Sequence, residues 1–233
     1  MKIRTIAFDA DDTLWHNERF FRLTQDKFAA LLADHAAPES LSQTLLAAER
    51  RNLGRYGYGI KGFVLSMIET AIEVTDARVP AEVISQILDA GKEMLAHPIE
   101  LLPHAEEAVQ SLSDTHRILL ITKGDLLDQE RKLAQSGLGD LFHGVEIVSE
   151  KTAVTYGRIF ADCPGGAESA LMAGNSMKSD VVPVIEAGAH GVYVPHGQVW
   201  ELEKAEAPRD NPRFFEIKNL GVLPALLEEI EAA

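Results

Sequence analysis

Two patterns of apolar and polar positions divide the 233-residue chain. Between residues 16 and 98 apolar side chains recur at helical spacing. Phe21, Leu23, Phe28, Leu31 and Leu32 fall close to one stripe of a helix running from Glu18 to His35. Pro38 interrupts that run, and Ser40 suits the N-cap of a second helix reaching Leu53. Gly54, Gly57, Gly59 and Gly62 mark a turn, after which FVLSMIETAIEV resumes the helical period. Pro80 fits the first turn of a further helix through Ala96, and Pro98 closes the stretch.

Elsewhere the texture changes to short apolar runs separated by helical ones. IRTIAF at the N-terminus, RILLIT (117–122), GVEIVS (144–149), SALMAG (169–174) and GVYVP (191–195) are bounded by Gly, Asp or Pro. Such runs suit strands buried on both faces of a parallel sheet. LLDQERKLAQSG, YGRIFADC and DVVPVIEAGA fit the crossover helices, and LPALLEEIEAA a closing helix. The pattern predicts an α/β protein. A Rossmann-like parallel sheet core (1–15 and 99–233) is interrupted after its first strand by an all-α helical insert (16–98).

In open parallel sheets ligands bind at the C-terminal ends of the strands, so the residues after each apolar run carry the candidate chemistry. After the first come Asp9 and Asp11, two apart and therefore on one face of an extended chain. Two crowded carboxylates stay ionised only beside positive charge, and Mg²⁺, a hard cation taking oxygen ligands, answers that need. After the second come Thr122, Lys123, Gly124 and Asp125, a hydroxyl and a glycine turn able to cradle an anion. Lys151 follows the third run and offers a compact positive charge for a phosphate. Asn175, Ser176 and Asp180 follow the fourth and add oxygen ligands.

Composition narrows the partners. A net charge of −14, from 22 basic and 36 acidic side chains, argues against nucleic acid, whose phosphates call for clustered Lys and Arg. It leaves room for a small anionic ligand. One cysteine, Cys163, permits no intrachain disulfide and has no activating cation beside it in sequence. With no signal peptide and no membrane span in the pattern, a cytoplasmic location is expected and no membrane partner. Nothing in the pattern sets the oligomeric state.

A carboxylate that attacks phosphorus divides one difficult displacement into two through an aspartyl-phosphate. A second carboxylate can then protonate the leaving alkoxide and later deprotonate water. At these residues the chain resembles the haloacid dehalogenase superfamily, with FDADDTL (8–14), ITKGD (121–125), Lys151 in SEKT and GNSMKSD (174–180) in the family's order. The resemblance implies that Asp9 is the nucleophile and Asp11 the general acid/base. It implies Mg²⁺ held by the Asp9 carboxylate, the Asp11 backbone carbonyl, Asn175 and Asp180, with Thr122 and Lys151 on the transferring phosphoryl group. The helical insert stands where the family carries a small cap domain. Asp12 and Thr13 are turn and hinge residues in this scheme, Thr13 near enough to bond the nucleophile.

Within that family an acid at the position of Asp11 favours phosphate monoesters over halogenated substrates. The expected activity is a Mg²⁺-dependent phosphatase acting on a small soluble phosphorylated metabolite. A phosphomutase, a 2-haloacid dehalogenase and a phospho-ligand-binding module with decayed catalysis are the alternatives. The last rests on Asn175, where the family usually has Asp. Candidate substrate contacts beyond Thr122, Lys123 and Lys151 are Trp15 and His16, just past the first motif, which suit a pocket wall or a packed hinge, and Arg55, Tyr58 and Lys61. These last three belong to the locally basic segment RRNLGRYGYGIKGF. Trp200 and ELEKAEAPRD read as a surface loop without chemistry.

Overall fold

The first strand, β1 (Thr5–Phe8), is buried along its whole length because it lies inside a six-stranded sheet. A computed structural model describes residues 2–197 and 199–232. Its sheet contains β2 (Arg117–Lys123), β3 (Gly144–Val148), β4 (Ala170–Gly174), β5 (His190–Tyr193) and β6 (Phe214–Glu216), in the order β3-β2-β1-β4-β5-β6. All neighbours are parallel. Phe8 stands opposite Leu120 on one side and Ala173 on the other, so the segments leaving β1, β2 and β4 emerge at one edge.

Alternation within the strands separates two apolar layers. Ile6, Phe8, Ile118, Leu120, Leu171 and Ala173 pack with α5 (Ala105–Ser113) and α9 (Leu223–Ala232) through Val109, Leu112, Leu223 and Leu227. Ala7, Leu119, Ile121, Ala170 and Met172 face the other way. They meet Tyr156, Ile159 and Phe160 of α7 (Ala153–Ala161) and Val184 of α8 (Val182–Glu186). The remaining crossover helix is α6 (Leu126–Ser136).

Chain contacts separate two compact units: Met1–Glu18, Ile99–Lys123 and Gln129–Ala233 form one, Arg19–Pro98 with Gly124–Asp128 the other. The second carries α1 (Glu18–Leu31, its first residue apart), α2 (Pro38–Tyr56), α3 (Ile60–Val74) and α4 (Ala81–Ala96). They close on their own core of Phe28, Leu41, Leu45, Phe63, Met67 and Ile87. No helix among the described residues is long and apolar enough to cross a membrane.

Several expectations need correction. β3 is an edge strand with Val145 40% exposed, so it is not buried on both faces. α2 begins at Pro38, with Ala37 at the N-cap position and no side-chain cap, because proline lacks the N–H that a first turn leaves unbonded. Gly54 and Gly62 lie within helices, and only Gly57 (φ 72) and Gly59 (φ 105) provide the left-handed turn between α2 and α3. β6 and α5 have no counterpart in the sequence reading. β6 is only three residues long, too short for a period to register.

Candidate active site

The chain steps from β1 to β2 and β3 on one side, then returns to lay β4 on the other, which opens a crevice at the ends of β1 and β4. Asp9 follows β1 there and is tied to β4 through its backbone N–H, which donates to the Ala173 carbonyl at 2.9 Å. Beyond β4, Ser176 caps a π-helical turn, Met177–Val181, that carries Ser179 and Asp180.

Lys151 lies between the two carboxylates. Its Nζ donates to Asp9 Oδ1 at 2.6 Å and to Asp180 Oδ1 at 2.6 Å, and its side chain is 2% exposed. Thr13 Oγ1 donates to Asp9 Oδ2 at 3.1 Å and stands 3.4 Å from Asn175 Oδ1. That hydroxyl in turn accepts the Asn175 backbone N–H. Asp180 Oδ2 accepts the Ser176 N–H at 2.9 Å. Gly174 permits this packing, since a Cβ there would lie 2.4 Å from Asp180 Cγ. Thr122, 1% exposed, is the last residue but one of β2 at the same edge.

Two carboxylates and one ammonium leave an excess negative charge out of water. Burial, reinforced by Asp180 and opposed by Lys151, pushes the Asp9 carboxyl up to about 7. Burial also works against the Lys151 ammonium, but Asp180 and Asp9 together outweigh it and hold its pKa well above the usual lysine range. Mg²⁺ suits this donor set. Asp9 and Asn175 present oxygens to the same Thr13 hydroxyl, Asp180 adds a carboxylate, and a hard cation would neutralise the excess charge.

The sign of the Asp9 shift sets a pH dependence. A carboxyl raised in the folded state adds stability in full below its unfolded pKa and loses it as pH climbs through the folded value. Between pH 6 and 8.5 the metal-free protein should lose on the order of 1 kcal/mol, a few degrees in Tm. Thermal melts in EDTA and in Mg²⁺ check this. The fall should appear with the chelator and flatten with the metal.

Asp11 is held separately. Its carboxylate accepts Trp15 Nε1 at 2.8 Å, Gln129 Nε2 at 2.9 Å and Lys132 Nζ at 2.9 and 3.1 Å. Lys132 also reaches Asn17 Oδ1 at 2.8 Å. Gln129 and Lys132 share a face of α6, three residues apart. Trp15 was expected to touch substrate, but it is fully buried in the sheet core and its indole N–H is engaged by Asp11. No face of its ring is open to a ligand.

Asp12, at φ 59, accepts the N–H groups of Asn17 and Glu18 and so caps α1. With His16 and His196 it forms a group whose ligating atoms lie within 4.8 Å of one another, His196 Nε2 being 3.9 Å from Asp12 Oδ1. Imidazole nitrogens suit zinc better than magnesium. Both Asp12 oxygens already serve the helix start.

Lys123, also expected on substrate, is a strut instead. Its Nζ bonds Glu203 Oε1 at 2.7 Å, Ser179 Oγ at 2.8 Å and Glu150 Oε1 at 3.4 Å. Glu203, 14% exposed, lies in the ELEKAEAPRD segment, which is therefore not a loop without chemistry: its carboxylate bonds Lys123, Ser176 and Ser179. Only the isolated short turn Glu201–Glu203 carries it to the site, which no motif announces. Burial raises the Glu203 carboxyl, but Lys123 and the Ser176 and Ser179 hydroxyls outweigh it and hold it below the usual range.

Arg55, Tyr58 and Lys61 belong to the helical unit. Arg55 is exposed at the end of α2, Tyr58 half-buried in the turn, and Lys61 pairs with Asp125 at 3.0 Å. His16 lies in the sheet unit beside His196, ring centroids 5.2 Å apart.

Residues 3–164 match the family model of haloacid dehalogenase-like hydrolases. No curated protein matches the chain. A haloacid dehalogenase-like family hydrolase from Xanthomonas campestris is 42% identical over 99% of this chain and 92% of that one, with a TM-score of 0.88. The putative hydrolase YfnB from Bacillus subtilis, bound to magnesium, is 18% identical over 97% and 99%, TM-score 0.66. The L-2-haloacid dehalogenase from Xanthobacter autotrophicus with covalently bound chloropropionic acid is 17% identical over 97% and 98%, TM-score 0.64.

Proposed function

Because the chain belongs to the haloacid dehalogenase-like hydrolases, we propose that it is a Mg²⁺-dependent phosphatase acting on a small soluble phosphate monoester. The observation that carries the reading is Asp11, a carboxylate two residues beyond the buried Asp9. An alkoxide leaving group needs a proton, whereas a halide departs without one.

In the proposed sequence an Asp9 oxygen attacks phosphorus and the bond to the alkoxide breaks as Asp11 protonates the leaving oxygen. Asp11 must turn from Lys132 and Trp15 to do so. It then takes a proton from water, whose oxygen attacks the same phosphorus, releasing inorganic phosphate and restoring Asp9. Lys151 remains against Asp9 and offsets negative charge at the reacting oxygens, with Thr122 as a hydroxyl donor from β2. Mg²⁺, held by Asp9, the Asp11 carbonyl, Asn175 and Asp180, would supply further charge compensation, and a similar fold binds magnesium in YfnB. The helical unit would act as the cap that selects substrate, with Arg55, Tyr58 and Lys61 as its polar contacts.

A second reading, a phospho-ligand-binding module without turnover, rests on Asn175, whose amide oxygen brings no charge to the cation. One experiment separates these from dehalogenation. Phosphate release from an aryl phosphate and halide release from 2-chloropropionate are measured with Mg²⁺ and with EDTA, for wild type and Asp11→Asn. The phosphatase reading expects Mg²⁺-dependent phosphate release that falls by about 10²-fold or more in the variant. Halide release indifferent to chelation, or ligand binding without turnover, overturns it.

A further inference from the structure

Glu203 joins three parts of the site that no sequence motif connects. Its Oε2 accepts both Ser176 Oγ and Ser179 Oγ at 2.5 Å, and its Oε1 accepts Lys123 Nζ at 2.7 Å from the end of β2. Ser176 caps the π-helical turn bearing Asp180 and Ser179 lies within it, and Ser176 Oγ also accepts the Ser179 N–H at 3.0 Å. The Ser176 backbone N–H holds Asp180 Oδ2 at 2.9 Å. A second tie, Lys178 Nζ to the Leu202 carbonyl at 2.8 Å, fastens the same turn to the segment carrying Glu203.

The physical consequence is orientation. A π turn is a rare single-turn element found frequently at functional sites, and this one is held by contacts from outside it. Here those contacts are charge-assisted, short and largely out of water. Asp180 has its two oxygens divided between Lys151 and the Ser176 N–H, so the position of Ser176 sets the rotamer that Asp180 presents. Asn175 precedes Ser176 directly and moves with it.

We propose that Glu203 is a positioning residue for the cation site, fixing Asp180 and Asn175 through Ser176 and Ser179. The inference rests on the Mg²⁺ reading above, and it gives the 199–204 segment a specific task. Outer partners of metal-binding carboxylates commonly govern affinity by about 10- to 100-fold.

Calorimetric titration with MgCl₂ of the metal-free full-length protein tests it. Glu203→Gln keeps size and one acceptor but lacks the charge that holds Lys123 and both hydroxyls. It is expected to weaken Mg²⁺ binding about 10-fold. Aryl phosphate turnover should fall at low Mg²⁺ and return toward wild type at saturating Mg²⁺, which a general loss of folding would not allow. Ser179→Ala leaves the Lys123–Glu203 pair in place and should weaken Mg²⁺ by a smaller factor of about 3. Glu201→Gln removes an exposed charge from the same turn that pairs with Lys204, and should change affinity by less than about 2-fold.

Wild-type affinity in Glu203→Gln overturns the proposal, as does an equal loss in Glu201→Gln, which would assign the effect to net charge. If the wild type neither binds Mg²⁺ nor gains turnover from it, the phosphatase reading itself fails, and this proposal with it. That result is distinct from a wild type that binds the metal beside an unaffected variant.

Discussion

Asp9→Asn is expected to reduce aryl phosphate turnover by about 10⁴-fold or more while raising the thermal stability of the metal-free protein. The two effects share a cause. An amide cannot form the acyl phosphate, so the route through Asp9 closes and only uncatalysed or weakly assisted hydrolysis remains. The same substitution removes a buried negative charge facing Asp180, the repulsion that together with burial lifts the Asp9 carboxyl to about 7. Lys151 then serves Asp180 alone at 2.6 Å. In EDTA at pH 8 the variant should melt a few degrees above wild type, since about 1 kcal/mol shifts a chain of this size by about 2–4 °C. Steady-state rates and melting curves read both arms. Unchanged turnover would falsify the assigned nucleophile, and a lower melting temperature would contradict the charge argument.

Lys151→Met is expected to be the most destabilising single change at the site. The ammonium is 2% exposed and donates to two carboxylates that are themselves nearly buried. Its removal leaves Asp9 and Asp180 without a counter-charge in a poorly solvated place. Breaking a buried ion pair from one side costs about 3–5 kcal/mol, or a fall of about 6–20 °C in Tm. The double variant Lys151→Met/Asp9→Asn should recover part of that loss, because one of the two uncompensated charges has gone. Chemical denaturation of wild type, both single variants and the double variant gives the coupling directly. Additive effects in that cycle would show that the Asp9–Lys151 pair, despite its short distance, does not couple the two residues energetically. Mg²⁺ should narrow the gap between Lys151→Met and wild type by supplying the missing positive charge.

The readable part of the site consists of residues held by the backbone they follow. Asp9, Thr122 and Asn175 come directly after apolar runs, and parallel strands deliver their ends to one edge, so order along the chain translates into proximity. Lys151 and Asp180 belong to short segments leaving the same edge. What could not be read are groups whose approach depends on side-chain reach from distant segments. Gln129 and Lys132 sit on a polar-looking helical stretch, yet their face of α6 meets Asp11. Glu203 lies in a charge-rich segment with no period, and its three short bonds exist only because that segment returns across the end of β4. Trp15 was ambiguous in the opposite sense. Its position beside the first motif suited either a pocket wall or a packed hinge, and burial in the sheet core gave its ring to packing.

By itself, the sequence determined the parallel α/β core, the helical stretch after the first strand and the ordered set of Asp9, Thr122, Lys151, Asn175 and Asp180. It could do so because strand burial and helical periodicity are local patterns, and because a parallel sheet collects its strand ends. Only the tertiary structure decided who holds whom: Lys151 between Asp9 and Asp180, Lys132 on Asp11, and Glu203 under the turn that presents Asp180. Those pairings span from 24 to 142 residues of chain. They are fixed by where packing places each charged group and by the cost of leaving it unpaired out of water, and neither is encoded in the residues that flank it.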